Sequence, residues 1–251
     1  MKKNLLDNNA ISLFDRVVRR QPESDAILAQ SLLEGYQKLS YKELQERTIL
    51  IKNWLLSQNI KKGDKILLLL PLSTELYITV IALFRIGAIG ILYEPKDIFW
   101  QLTNTSKAVN PDYVLTTRKL NLFLQINKSY RLIKKRLFIE DGFNNQTSYK
   151  NEPPKVIVKA DDLALINFTS GSESIPKGIC RTHGFLIKQH KILQICMKLK
   201  KNDTILTTLP VFVLSMLAAG SFVIIPKLKK NLPWLPNNQS LDLIKKNNVN
   251  I

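Results

Sequence analysis

The chain is short of several things. Among its 251 residues are only two cysteines, two histidines and nine glycines, and 20 acidic residues stand against 37 basic ones. Two cysteines, Cys180 and Cys196, do not make a disulfide framework, so the fold must rest on a hydrophobic core and a reducing, cytoplasmic setting is expected. The same scarcity argues against zinc. Cys180 and His183 stand three apart on what reads as a strand, facing opposite sides. His190 and Cys196 are six apart on a helix, roughly 240° around its axis, and neither pairing has the close spacing of known ligand pairs. No membrane span is expected either. The longest apolar run, LYITVIALFRIGAIGILY from Leu76, carries Arg85 at its middle, and a charge at bilayer depth costs about 2.5–3.5 kcal/mol. The opening stretch MKKNLLDNNA has two lysines with no apolar segment behind them, so no secretory signal is expected there.

What remains is an ordinary globular composition, 45% hydrophobic and 23% charged, with enough length to bury a sizeable core. The net charge of +17 raises nucleic acid or an anionic membrane as a partner. The lysines nevertheless read as scattered among Asn and Ile. No basic cluster stands out, and no run interleaves aromatics with cations as a base-stacking platform needs, so no nucleic-acid partner is expected.

Helix and strand patterns alternate along the chain. Residues 10–20 put Ile11, Phe14, Val17 and Val18 on one helical face ahead of Pro22, and a hairpin-like passage follows around Glu34-Gly35. Ser40 and Glu43 make a capping box for a second helix with Leu44, Thr48, Ile51 and Leu55 as its inner stripe. Then KILLLL (65–70), a helix capped by Ser73 and ended by Gly87, and AIGILY (88–93) read as a βαβ crossover, with apolar runs that imply a parallel sheet buried on both faces. DYVLTT (112–117) and RLFIE (136–140) are further strands around a helix-like segment, and residues 141–155 are the best linker candidate between two sub-regions. LALINF (163–168) and GICRTH (178–183) flank a loop as strands, and a helix with Leu186, His190, Leu193 and Met197 on one face follows. Apolar runs surround Pro210 and Gly220, KKNLPWLPNN reads as a loop, and Ser240 caps a last helix over 240–247. The fold class is α/β.

The loop in NFTSGSESIPKGICRTHGF, from Asn167, gathers Thr169, Ser170, Gly171, Ser172, Ser174 and Lys177. It is not a Walker A loop. After Gly171 and SESI, Pro176 stands where the second glycine belongs and Gly178 where the metal-binding hydroxyl belongs. Hydroxyls and backbone N–H groups can still make an anion nest. An ordinary hairpin turn uses the same residues, and composition alone leaves both readings open.

FTSGSESIPKGI resembles the phosphate-loop signature of the acyl-adenylate-forming (AMP-binding) superfamily, which includes acyl-CoA synthetases, luciferases and peptide-synthetase adenylation domains. Three further stretches resemble family segments in the family's order: LSYKELQERTILIKNWLLSQNIKKGDKILLLLP, STELYITVIALFRIGAIGILYEP and TLPVFVLSMLAAG (208–220). The last two, with RTHGFLIKQH, are most similar to the long-chain fatty acid ligase and β-lactone synthetase branch. The resemblance implies the N-terminal domain of the adenylate-forming fold across 1–251, with mostly parallel sheets flanked by helices. It implies activation of a carboxylic acid, here a fatty or hydroxy-fatty acid, with ATP to an acyl-adenylate. Thr169, Ser170, Gly171, Ser172 and Lys177 would hold the ATP phosphates, neutralising charge as pyrophosphate leaves, and Phe212 and Val213 would lie beside the acyl group.

Two loop positions depart from the signature. Glu173 replaces a threonine and Ser174 a glycine. A carboxylate about 5 Å from a phosphate charge costs on the order of 1–3 kcal/mol per charge pair, and serine lacks glycine's access to positive φ. Weak or lost ATP binding is therefore expected. No match is found to the family's tyrosine-glycine-threonine-glutamate motif, ribose-binding aspartate, hinge or C-terminal lysine, so no Mg²⁺ ligand is identified and the C-terminal cap domain is absent from these residues. A truncated ligase, inactive in isolation, is the leading expectation. The second is half of a split ligase completed by a separately encoded C-terminal partner, and the third a non-catalytic basic binding module on the same fold.

Overall fold

The computed structural model describes residues 9–92, 98–133, 135–144, 156–169, 177–226, 228–229, 232–236 and 249. In chain order the elements begin with α1 (Ile11–Arg20), β1 (Asp25–Ser31), β2 (Gly35–Ser40), α2 (Tyr41–Ser57), β3 (Lys65–Leu69), α3 (Thr74–Ile86) and β4 (Ile89–Leu92). Next come α4 (Ile98–Val109), β5 (Tyr113–Thr116), α5 (Arg118–Leu124), α6 (Lys128–Leu132), β6 (Lys135–Phe138), α7 (Ile139–Asn144), β7 (Leu163–Thr169) and β8 (Lys177–Thr182). The last are α8 (His183–Cys196), β9 (Thr204–Leu206), α9 (Pro210–Ala219), β10 (Phe222–Ile224), β11 (Leu228–Lys229) and β12 (Leu232–Pro236). The residues fall into two compact units, one of Met1–Arg47, Leu72–Ile78 and Leu186–Ile251, the other of Thr48–Pro71 and Thr79–Phe185.

The first unit is built on a four-stranded sheet in the order β2-β1-β10-β9. β1 and β2 form the expected antiparallel hairpin, with Gly35 at φ +88°, while β10 lies parallel to both β1 and β9. The apolar face of α1 buries Ile11, Leu13, Phe14, Val17 and Val18, and Phe14 meets the ring of Tyr41 at 5.9 Å. The Tyr41 hydroxyl lies 3.0 Å from the Leu217 carbonyl and 2.8 Å from that of Ser221, which burying it requires. Proline opens α9 and Gly220, at φ +90°, ends it, each where helix geometry favours it. A two-stranded ladder, β11 with β12, occupies part of the proline-rich segment expected as a loop. The helix expected over 240–247 lies outside the described residues.

The second unit holds a six-stranded sheet in the order β6-β5-β3-β4-β7-β8, parallel throughout except for the last pair. The chain runs from β3 to β4 on one side, then crosses back to β5 on the other, the reversal of a doubly wound sheet. Continuous apolar strands suit this because both faces are covered. Leu67, Leu69, Ile91, Val114, Ile166 and Phe168 from four strands join Leu102, Leu124 and Tyr130 from the helices in one core. The βαβ unit is as expected: Lys65 pairs with Ile89 and Leu67 with Ile91, the Ser73 hydroxyl accepts from Leu76 N, and Gly87 sits at φ +75°. The four residues of the expected α2 stripe, Leu44, Thr48, Ile51 and Leu55, are all buried.

Three boundaries differ from expectation. The strand expected over 136–140 ends at Phe138, and Ile139 and Glu140 open α7. β8 ends at Thr182, whose hydroxyl accepts from Phe185 N, so His183 is the first residue of α8 and not the last of a strand. Of the linker expected over 141–155, residues 141–144 belong to α7 and 145–155 lie outside the described residues.

Candidate functional site

β7 and β8 are adjacent antiparallel strands, and Thr169 and Lys177 are their last paired residues. The hydroxyl-rich loop therefore joins two neighbouring strands. Ser170, Gly171, Ser172, Glu173 and Ser174 lie outside the described residues, as do the side chains of Thr169 and Lys177. β7 is parallel to β4, with Leu92 opposite Asn167, so the loop leaves the sheet at the carboxyl end of its parallel strands. Doubly wound sheets bind ligands in the crevice outside that end.

The base of the hairpin is closely fitted. Ala164, Leu165, Ile166 and Phe168 are buried, because β7 is flanked by a strand on each side. Gly178 pairs with Phe168 across the ladder, and a Cβ there would stand 3.1 Å from the Phe168 ring. Arg181 Nε donates to Asn167 Oδ1 at 3.2 Å, and its guanidinium lies 5.4 Å above the Phe185 ring. These partners hold a cation beside the two strands that carry the loop. Neither Asn167 nor Arg181 was singled out in the sequence, although strand alternation from Thr169 and Lys177 reaches both.

The opposite end of the same hairpin is a closed polar knot. Lys62 Nζ lies 2.6 Å from Asp162 Oδ2 and donates to the Ile157 carbonyl at 2.8 Å. Asp162 also accepts from Lys159 N, and its carbonyl accepts from His183 N. The His183 ring is fully buried, edge-on to Phe84 at 5.2 Å. Burial pushes its pKa down to about 4, against the pull of Asp162 and with the help of Lys62. Six residues of extended chain place His183 about 20 Å from Lys177, so this histidine anchors the hairpin far from its tip. Cys180 on β8 is exposed. His190, in the first unit, is buried with Nδ1 3.0 Å from the Ser215 hydroxyl, while Cys196 is exposed.

Phe212 and Val213 are neighbours on α9 in the first unit, whereas the loop belongs to the second. Val213 is fully buried and Phe212 partly so.

The doubly wound sheet defines an α/β domain. The AMP-binding enzyme family matches residues 14–251, and the chain belongs to that family. It is 30% identical over 179 residues to malformin synthetase mlfA of Aspergillus brasiliensis, an alignment covering 71% of this chain and 3% of that protein. In fold it is similar to O-succinylbenzoate Coenzyme A synthetase (MenE) from Bacillus subtilis in complex with AMP, with a TM-score of 0.78 and 18% identity over 94% of this chain and 59% of the other. The same enzyme is also known in complex with ATP and magnesium ion. The N-terminal subdomain of Klebsiella oxytoca NpsA, in complex with 3-hydroxybenzoyl-AMSN, matches with a TM-score of 0.77 and 22% identity over 96% of this chain and 58% of the other. The chain thus corresponds to an N-terminal portion of the matched structures, spanning under two thirds of each, and aligns with a small fraction of the synthetase.

Proposed function

We propose that these residues supply the triphosphate-binding hairpin of an ATP-dependent ligase that activates a carboxylic acid as its acyl-adenylate. The observation that carries this is the place of the loop: TSGSES, followed by Ile175, Pro176 and Lys177, joins two adjacent strands at the carboxyl end of a doubly wound sheet. Thr169, Ser170, Gly171, Ser172 and Lys177 suit a polyphosphate, offering hydroxyls, backbone N–H groups and one ammonium. ATP supplies the adenylyl group. The chain's residues bind and orient its phosphates and stabilise the charge that builds up as pyrophosphate leaves. Mg²⁺ has no ligand assigned among these 251 residues.

Two readings of the acid compete. The likeness of 208–220 to the long-chain branch favours a fatty or hydroxy-fatty acid beside Phe212 and Val213. The relatives named above favour an aryl or amino acid, since the structures concern O-succinylbenzoate and 3-hydroxybenzoyl-AMSN. We favour the second, because those likenesses extend over nearly the whole chain.

Radiolabelled pyrophosphate exchange tests the catalytic part. The 251 residues by themselves should give none with either class of acid, and exchange clearly above a Lys177→Ala control would overturn this. Titration calorimetry tests the loop. ATP should bind weakly, and Glu173→Thr should tighten it about tenfold or more by removing a carboxylate beside the phosphates. Micromolar affinity left unchanged by that substitution would refute the reading of Glu173.

A further inference from the structure

Between Asp112 and Glu140 the chain has no acidic residue and seven basic ones. Between β5 and β6 this stretch forms an elbow of α5, a turn and α6, which lies wholly in the second unit and carries four of the seven cations, Arg118, Lys119, Lys128 and Arg131. The elbow is anchored from within. Leu124, Tyr130 and Ile133 are buried in the core. Thr117 caps α5 by accepting from Leu120 N, and Asn127 caps α6 by accepting from Tyr130 N. Tyr130 donates to Asn121 Oδ1 at 2.6 Å, tying the two helices together. With the inward positions filled, four large apolar side chains point out: Leu122, Phe123, Ile126 and Leu132 are 73%, 57%, 81% and 79% exposed.

Helix geometry places cations among them. Gln125 keeps helical angles and its N–H bonds to the Asn121 carbonyl. At about 100° per residue, Lys119, Leu122, Phe123 and Ile126 therefore share one outward arc, with Leu120 and Leu124 on the other side. On α6 the same count gathers Lys128, Arg131 and Leu132 outward, while Ser129 and Tyr130 are buried. Lys119, Lys128 and Arg131 are exposed and make no ion pair among the described residues. Arg118 is paired with Asp141 and Arg136 lies over Tyr130, so neither is as free.

We propose that this elbow docks the protein on an anionic lipid surface, with Leu122, Phe123, Ile126 and Leu132 entering the headgroup boundary and Lys119, Lys128 and Arg131 meeting lipid phosphates. Charge complementarity decides the occupant. Leu and Phe beside Lys and Arg, with the adjoining acids Glu140 and Asp141 taken up by Arg118, is the make-up of interfacial segments, whereas cores of protein–protein interfaces are poor in lysine. The apolar tips project singly from a capped elbow, and a bilayer accepts such tips without a complementary groove. The inference stands apart from the ligase reading.

Cosedimentation of the full chain with vesicles tests it, comparing neutral phosphatidylcholine with vesicles in which a third of the lipid is phosphatidylglycerol. Binding should require the anionic lipid. Substituting Lys119, Lys128 and Arg131 by Gln together should lower the partition coefficient about a hundredfold, at roughly fivefold per cation. Substituting Leu122, Phe123, Ile126 and Leu132 by Ser should abolish binding as well. The control replaces Lys188, Lys200 and Lys201, exposed residues elsewhere, by Gln, and should leave most of the binding. If the control loses as much as the elbow variant, bulk charge is responsible and the proposal fails. It fails equally if the Ser variant binds like the parent, or if the elbow variants change oligomeric state in light scattering while vesicles are not bound.

Discussion

Two hairpins in this chain begin differently and end alike. The β1–β2 turn is closed by its own anion. Glu75, fully buried at the start of α3, accepts from the Ser31 hydroxyl at 2.6 Å and from Leu32 N at 3.0 Å, while Ser31 Oγ accepts from the N–H groups of Leu33 and Glu34. The β7–β8 hairpin joins its strands by seven residues, with three serines, a glycine and a single acid, Glu173. The difference concerns where an anion comes from. In the first hairpin a carboxylate from the protein satisfies the turn, and nothing is left to offer a ligand. In the second the same donor chemistry, as we read it, serves a phosphate from outside, and Glu173 is a step back towards the first arrangement.

Both hairpins then pass straight into a helix. Ser40 leads to Tyr41 and Thr182 to His183, each a capping hydroxyl followed by a fully buried ring. The largest effect should come from Glu75→Ala, which leaves two donors in or beside the core without a partner, at about 2 kcal/mol each. Urea unfolding should show a loss of about 4 kcal/mol, with Glu75→Gln in between because it keeps one acceptor. A loss no larger than that of a surface substitution would mean that the turn does not depend on its carboxylate.

The next effect depends on pH. The folded pKa of His183, about 4, lies below its ordinary value of 6.5. In that window the unfolded chain binds a proton that the folded chain refuses, so stability falls as the pH falls through it, by on the order of 3 kcal/mol. Comparing unfolding at neutral pH and at about pH 4.5, His183→Phe should lose part of this acid sensitivity, and an unchanged slope would assign it to other groups. The smallest effects separate the two caps. Ser40→Ala and Thr182→Ala should each cost about 1 kcal/mol. Ser40 should cost more, because its hydroxyl also donates to Glu43 Oε2 at 2.8 Å, a bond that Phe185 cannot offer Thr182.

The second hairpin's position was legible in the sequence because β7 is apolar, β8 follows a turn-rich loop, and the loop residues have one arrangement in a known family. The capping box and the α2 stripe were legible for local reasons of spacing. Three things were not. α4, IFWQLTNTSKAV, packs its apolar residues into its first turns and lacks an acidic first turn, so no helical stripe stands out. The fourth residue of RLFIE could have continued the strand, and only the fold turns Ile139 into a helix start. The basic elbow was missed because its cations are separated along the chain, and a sequence reading that looks for runs sees them as scattered. Asn127, capping α6 just after α5 ends, splits what reads as one helix into two, and the bend collects the charges.

The pairing of β1 with β10 has a consequence in time. Gln21 Nε2 donates to the carbonyl of Gly220, 199 positions further along, and Ile27 pairs with Val223 close by. At ribosomal speed, about 5–20 residues per second, roughly 10–40 seconds separate the emergence of one from the other. Throughout that interval the β1 margin that β10 later covers is bare, and a chaperone that shields such margins would find its substrate there.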